Sequence, residues 1–254
     1  MIQRYKLLIE YDGTHFSGWQ KQPNERTVEG EIEKALSTLY QVDVDVIGQG
    51  RTDAGVHAIQ QVAHVDLPDT YNERRILHAM RGLLSEDVTI FGIKKTHTGF
   101  HSRFDAISRK YKYKISNRPI PLDRHKIWYS FIDCDIELLK KCSNIILGTH
   151  DFYSFCIPND DPNLTTQCTI LESLWSMEDG VLIYTIEGNR FLRQMVRRLV
   201  GTMVQVSAGK IELIKFVEML TQADKPISAY TAPSKGLTLV SVNYDEKDDI
   251  RKRS

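Results

Sequence analysis

Residues 42–67 read "VDVDVIGQGRTDAGVHAIQQVAHVDL", and the fold turns on how that run divides. "VDVDV" (42–46) alternates apolar and acidic residues, as a half-buried strand does, and "QVAHVDL" (61–67) reads as a second strand. Between them "GQGRTDAGVHA" (48–58) carries Gly48, Gly50 and Gly55 and follows neither the helical nor the strand period. Two neighbouring strands joined by an irregular loop are expected, with one carboxylate, Asp53, inside the loop.

Working outward, "RYKLLIEYD" (4–12) is a strand, and from Thr27 the residues Val28, Ile32, Ala35, Leu36 and Leu39 fall at helical spacing. Downstream, Thr70 or Asn72 can cap a helix carrying Ile76, Leu77, Met80 and Leu84, and "VTIFGI" (88–93) is a strand. This half therefore runs β-α-β-β-α-β. The second half repeats the order. "RKYKYKI" (109–115) alternates. Asp135 caps a helix through Ile136, Leu139, Cys142 and Ile146, with Gly148 as its stop signal. Two strands, "TQCTILESLWSM" and "VLIYTIEG", flank the turn signal Asp179-Gly180. A long helix is expected over about 189–208, a second over 211–221, and a strand over 236–244.

The expected fold class is α+β: two ferredoxin-like β-α-β-β-α-β units whose antiparallel and mixed sheets join side by side, with helices on one face. A cleft lies between the halves, near residues 100–108. The expected division is 1–104, carrying the Asp53 loop, and 105–254, carrying the tyrosine strand and the arginine-rich helix. "PNDDPN" (158–163) reads as a polar loop and the charged tail from 245 as a frayed end.

The N-terminal stretch shows no apolar signal region and no run approaches a membrane span, so a protein without membrane attachment is expected. Cys134, Cys142, Cys156 and Cys168 contain no C-x-x-C pair, which points to a reduced, cytoplasmic setting. The 33 basic and 33 acidic residues cancel, but they are segregated. Between Arg103 and Lys126 eight Lys/Arg face two acids, and between Arg190 and Lys210 five basic residues face none. Such segregation suits either a phosphate-binding face or a solvated surface.

Asp53 has two readings: a reactive carboxylate displayed by glycine turns, or an Asx-type turn bonded to its own backbone. Arg51 and Thr52 beside it suit phosphate binding or fixing of that carboxylate. Tyr111 and Tyr113 share one face of "RKYKYKI", with Lys110, Lys112 and Lys114 on the other. That pattern fits base stacking beside phosphates, but tyrosines so alternated are more often core residues under a wet lysine row. In "NRFLRQMVRRLVG" (189–201), Arg190, Arg193 and Arg197 would share a helical face that continues to Gly201. His57 suggests a His/Asp pair, but no nucleophile signature accompanies it, and the histidines lack metal-ligand spacing. No nucleotide-binding glycine loop is present. No cofactor or metal site is expected.

Taken together, the segments "YDGTHFSGWQKQ", "GQGRTDAGVHA", "GFHSRFDAISRKYKYKI", "HDFYSF", "FLRQMVRRLVG" and "APSKGLTLVSVNY" resemble the TruA-type tRNA pseudouridine synthases. The likeness runs nearly end to end, with small departures at Gln49, Ser102 and Asp105. It implies that Asp53 is the catalytic carboxylate, acting as the nucleophile or base that opens the uridine N-glycosidic bond. Tyr111 matches the tyrosine that stacks on the target base, Arg197 the arginine that pairs with the carboxylate, and Arg51 one that helps displace the target nucleotide. Leu237 is placed as an apolar wall. The resemblance further implies a homodimer that works without cofactor on uridines 38, 39 and 40 of the tRNA anticodon stem-loop. Two other classes stand beside it: a non-catalytic tRNA-binding protein, and a small-molecule hydrolase using Asp53 and His57.

Overall fold

The computed structural model describes residues 1–157, 165–221 and 229–245, so the polar loop and most of the tail read from the sequence lie outside the described residues. The chain divides into two units, Met1–Ile107 together with residues from Leu239 onward, and Ser108–Thr238. In the first unit the order is β1 (Ile2–Tyr11), α1 (Val28–Tyr40), β2 (Val46–Gly48), β3 (His57–Pro68), α2 (Glu73–Leu83) and β4 (Val88–Lys95). Strand β1 is central and antiparallel to β3 on one side and β4 on the other. Its run from Tyr5 to Ile9 is buried on both faces.

Helix α1 starts where the sequence says it should. The Thr27 side chain accepts from the Gly30 N–H, and Val28, Ile32, Ala35 and Leu36 form its buried stripe. At α2 the cap is Asn72, whose side chain accepts from the Arg75 N–H. The expected strand at 42–46 is displaced. Pairing begins only at Val46, opposite Val65 of β3. The Val44 N–H goes instead to the Ser37 hydroxyl and the Val46 N–H to Glu33. Side chains of α1 thus take the donors that a ladder would have used, and of the three valines only Val44 and Val46 are buried while Val42 is exposed.

The second unit contains β5 (Ser108–Ser116), β6 (Trp128–Tyr129), α3 (Ile136–Ile145), β7 (Gly148–Asp151), β8 (Gln167–Glu178), β9 (Val181–Gly188), α4 (Met195–Ser207) and α5 (Leu213–Thr221). Strands β5, β9, β8 and β7 lie in that order, each antiparallel to the next, with β6 parallel to the end of β5. The β8–β9 hairpin turns at Asp179 and Gly180, with φ of 51° and 77°, as a two-residue turn with both centres left-handed requires. Strands β6 and β7, of two and four residues, are too short to carry a period in the sequence.

The last strand, β10 (Leu237–Asn243), departs from the expected division, which gave everything after 104 to the second half. From Leu239 it clusters with the first unit, beside β3. The Ile107 N–H donates to the Asn243 carbonyl at 2.8 Å and the Tyr244 hydroxyl to the Ser102 carbonyl at 2.6 Å. The Lys6 ammonium stands 3.6 Å over the Tyr244 ring. Among the described residues no helix is long and apolar enough to cross a membrane.

Candidate active site

The Asp53 loop is held at every turn. The Gly48–Val62 region anchors its start: the Gln49 N–H donates to the Val62 carbonyl, and the buried Gln61 amide donates to the Gly50 carbonyl at 3.1 Å. The segment 11–19 wraps its middle. The Trp19 N–H donates to the Thr52 carbonyl at 3.1 Å, the Gly55 N–H to the Phe16 carbonyl at 3.3 Å, and the Tyr11 and Thr52 hydroxyls bond at 2.8 Å in a buried contact. The Val56 N–H closes a turn onto the Asp53 carbonyl, and Gly55 has φ of 76°. Asp53 itself is half-buried and Arg51 is exposed. A carboxylate on a loop tied down by its neighbours loses little freedom on meeting a substrate.

The three loop glycines have different reasons to be glycine. At Gly48 a Cβ would lie 2.6 Å from the Trp19 indole, so this position admits a protein ring. Gly55 supplies the left-handed turn. A Cβ on Gly50 would meet nothing within 4 Å. Trp19 is in turn fixed by its indole N–H, which donates to Glu29 at 3.0 Å. Burial raises the Glu29 carboxyl above its usual range, against hydrogen bonds from Lys21 and Trp19 and the nearby charge of Arg51. Trp19, Tyr11 and Gln61 were not read from the sequence as parts of the site. The signal was present as aromatics at 11, 16 and 19 interleaved with Gly13 and Gly18, but their target becomes visible only in three dimensions.

His57 does not form the pair that a hydrolase reading needs through its Nδ1. The ring is 3% exposed, and Nδ1 accepts from the Gly13 N–H at 3.1 Å, beside Asp12. It braces the start of β3 against the turn at 12–13. Ser102, one of the departures from the family pattern, is built in as well. Its hydroxyl donates to the Ile47 carbonyl and faces His64 Nδ1, whose ring is held near a pKa of about 4 by burial, by Arg4 and by His101. Asp105 accepts from the His101 N–H.

In the second unit Tyr111 and Tyr113 share the buried face of β5. Tyr113 is core: it is fully buried, its hydroxyl donates to the Pro233 carbonyl at 2.7 Å, and burial raises its pKa strongly. Tyr111 stands at the rim of the same face, 9% exposed, with the Phe191 ring edge-on at 5.2 Å. On the other face Lys110 is taken by Glu172 and Glu187 at 2.5 and 3.0 Å, so the lysine row is not a uniform phosphate surface.

The expected arginine stripe needs correction. Helix α4 begins at Met195, six residues late, because Gln194 is left-handed at φ 61°, ψ 6°. Arg190 and Arg193 precede the helix and share no helical face with Arg197. Arg197 is half-buried on the first turn, and its Nε donates to the Ala232 carbonyl at 2.9 Å while the Ala232 N–H returns to the Arg197 carbonyl. Gly201 allows this approach, since a Cβ there would lie 2.2 Å from the Tyr230 carbonyl. The segment 230–233 therefore seats both Arg197 and Tyr113. Leu237 is buried just beyond it. Asp53 and Arg51 thus belong to the first unit, and Tyr111, Arg197 and Leu237 to the second.

A family model described as tRNA pseudouridine synthase matches residues 7–105 and 144–245, which hold the Asp53 loop, its wrapping segment and the Arg197 helix. The chain belongs to the tRNA pseudouridine synthase family. Relatives named tRNA pseudouridine synthase A align along nearly the whole chain. The one from Bacteroides thetaiotaomicron is 37% identical over 96% of this chain and 92% of its own. That from Chlorobaculum tepidum is 37% identical over 94% and 97%, and that from Acetivibrio thermocellus 36% over 96% and 100%. The family model's two segments leave out 106–143, and with it Tyr111 and all of β5.

Proposed function

We propose that this protein is a tRNA pseudouridine synthase that isomerises uridines 38, 39 and 40 of the anticodon stem-loop, with Asp53 attacking C1′ of an extruded nucleotide. The single observation that carries the reading is the Asp53 loop: a family-matched segment in which one half-buried carboxylate is displayed by a backbone anchored at Val62, Phe16 and Trp19. An Asx turn would need no such frame.

In the reaction the N1–C1′ bond breaks and a C5–C1′ bond forms, while C5 loses a proton and N1 gains one. Atoms and electrons balance without a second substrate. What the protein must supply is a carboxylate at the sugar, a surface that holds uracil while it turns, and cations for the flanking phosphates. Asp53 fills the first role. Tyr111 fills the second by stacking on the freed base. Arg197 keeps the carboxylate ionised by opposite charge, and Arg51 helps displace the nucleotide. Leu237 walls the base. Taking the uridine from its stack costs a few kcal/mol, which phosphate contacts offset. The proposal retains the expected architecture, two ferredoxin-like units with the uridine in a cleft, and a cytoplasmic homodimer.

The test is direct. Purified protein incubated with unmodified tRNA, with no added cofactor, should yield pseudouridine at one or more of positions 38, 39 and 40 on mapping. Binding of tRNA without any pseudouridine would favour the non-catalytic class, and turnover of small esters independent of RNA would favour the hydrolase.

A further inference from the structure

Outside the site one surface of the first unit gathers cations on a single helix face. Helix α2 carries Arg74, His78 and Arg81 at +4 and +3 spacing, so the three side chains share one exposed face. Together with Leu77 they line an open groove of about 290 Å³. Arg75 stands beside it, its guanidinium 4.4 Å over the Tyr71 ring.

Two further facts separate this face from an ordinary solvated one. Elsewhere in the unit several cations are matched, Arg4 with Asp66, Lys21 with Glu33, Arg26 with Glu31 and Asp87, Lys95 with Asp69, while Lys34, Arg51 and Lys94 stand singly along the sequence rather than at helical spacing on one face. Among the described residues Arg74, Arg75 and Arg81 reach no carboxylate. The helix's one acid, Glu73, forms no ion pair with them. Moreover, Arg74 and Arg75 occupy the first turn, the end where the helix dipole disfavours a cation by some tenths of a kcal/mol. Arg75 gains locally from the Tyr71 ring, whereas among the described residues no such contact offsets the dipole at Arg74. An anion at that end gains from the side chains and from the dipole together.

The orientation of α2 is also informative. Strand β4 starts at Val88, opposite Tyr11, and Tyr11 is bonded to Thr52 of the Asp53 loop. Because residues 84–87 join α2 to β4, Arg81 lies at the loop end of the sheet. Arg74 lies about 10 Å farther along the helix. The cationic row leads away from Asp53.

We propose that this α2 face is a docking surface for the phosphate backbone of the tRNA whose uridine is held at Asp53, with Arg74 and Arg81 each contacting a phosphate. This rests on the proposed function and extends it to the substrate body. The face reads no base. It adds affinity and orientation before chemistry.

The experiment measures tRNA binding against salt, and steady-state kinetics, for wild type, Arg74→Gln/Arg81→Gln and Arg74→Lys/Arg81→Lys. Losing two contacts to duplex phosphates should flatten the slope of log K against log salt by about 1.8 in the glutamine variant. KM for tRNA should rise about tenfold with kcat unchanged, and the lysine variant should recover most of the loss. An unchanged slope and KM would overturn the proposal and leave the face to some other partner or to solvent. A fall in kcat with KM intact, or no rescue by lysine, would overturn it too, by pointing to the fold. Failure of the functional reading itself would look different, since wild type would then form no pseudouridine.

Discussion

Gly48 shows how little tolerance the loop has at the scale of single residues. Its missing Cβ is where the Trp19 indole sits, and the indole is fixed from its other side by Glu29. Gly48→Ala should therefore destabilise the protein by about 1–3 kcal/mol, the usual cost of overpacking, and slow the enzyme by moving the Asp53 loop. Gly50→Ala, with open space around the new methyl, should stay within about 0.5 kcal/mol of wild type. Urea midpoints of the two variants check both, and equal midpoints would mean that Trp19 is not held as described. The two glycines are indistinguishable in the sequence. Asp53 was legible as a candidate from its setting, but what makes it a displayed carboxylate was not. The anchors Trp19, Phe16 and Tyr11 stand more than thirty residues away, and Gln61 belongs to what reads as ordinary strand.

Elements were legible where local chemistry decides them. Helix α1 starts after Thr27, where the helical spacing begins, Asn72 rather than Thr70 caps α2, Asp135 caps α3, and Asp179-Gly180 turns the β8–β9 hairpin. Each of these signals lies within four residues of its effect. The sequence misled where a distant partner overrides pattern. Val44 and Val46 alternate properly, yet Ser37 and Glu33 take their N–H groups and postpone the strand. The stretch 189–194 has helical spacing, yet its backbone is engaged elsewhere. The Asn189 N–H bonds to Thr169, and the Arg193 carbonyl accepts from Ile157. Gln194 then turns left-handed before α4 can begin. This yields a test between the two pictures. In a continuous helix Gln194→Ala would be more stable than Gln194→Gly by about 1 kcal/mol. In the structure described, glycine should be the more stable by a similar amount, because only glycine accepts positive φ without a Cβ clash. Thermal denaturation of the pair decides, and alanine winning would return 189–194 to the helix.

At the scale of the whole molecule, 33 basic residues balance 33 acidic ones, so bulk charge gives no attraction for RNA. What matters is which cations remain unmatched, and on that count Lys110 is spent on two glutamates while the α2 arginines are not. Binding to tRNA should accordingly weaken steeply with salt although the protein is neutral. The family follows from the chain as a whole, since matched segments at 7–105 and 144–245 cover both units. The proposed chemistry rests on one side chain. The measurement that reaches it most directly is tritium release from tRNA carrying uridine labelled at C5, for wild type and Asp53→Asn, with tRNA affinity measured in parallel. Wild type should release tritium as pseudouridine forms, while the asparagine variant binds tRNA about as well and releases none above background. Release by Asp53→Asn at a wild-type rate would contradict the assignment of Asp53 as the attacking carboxylate.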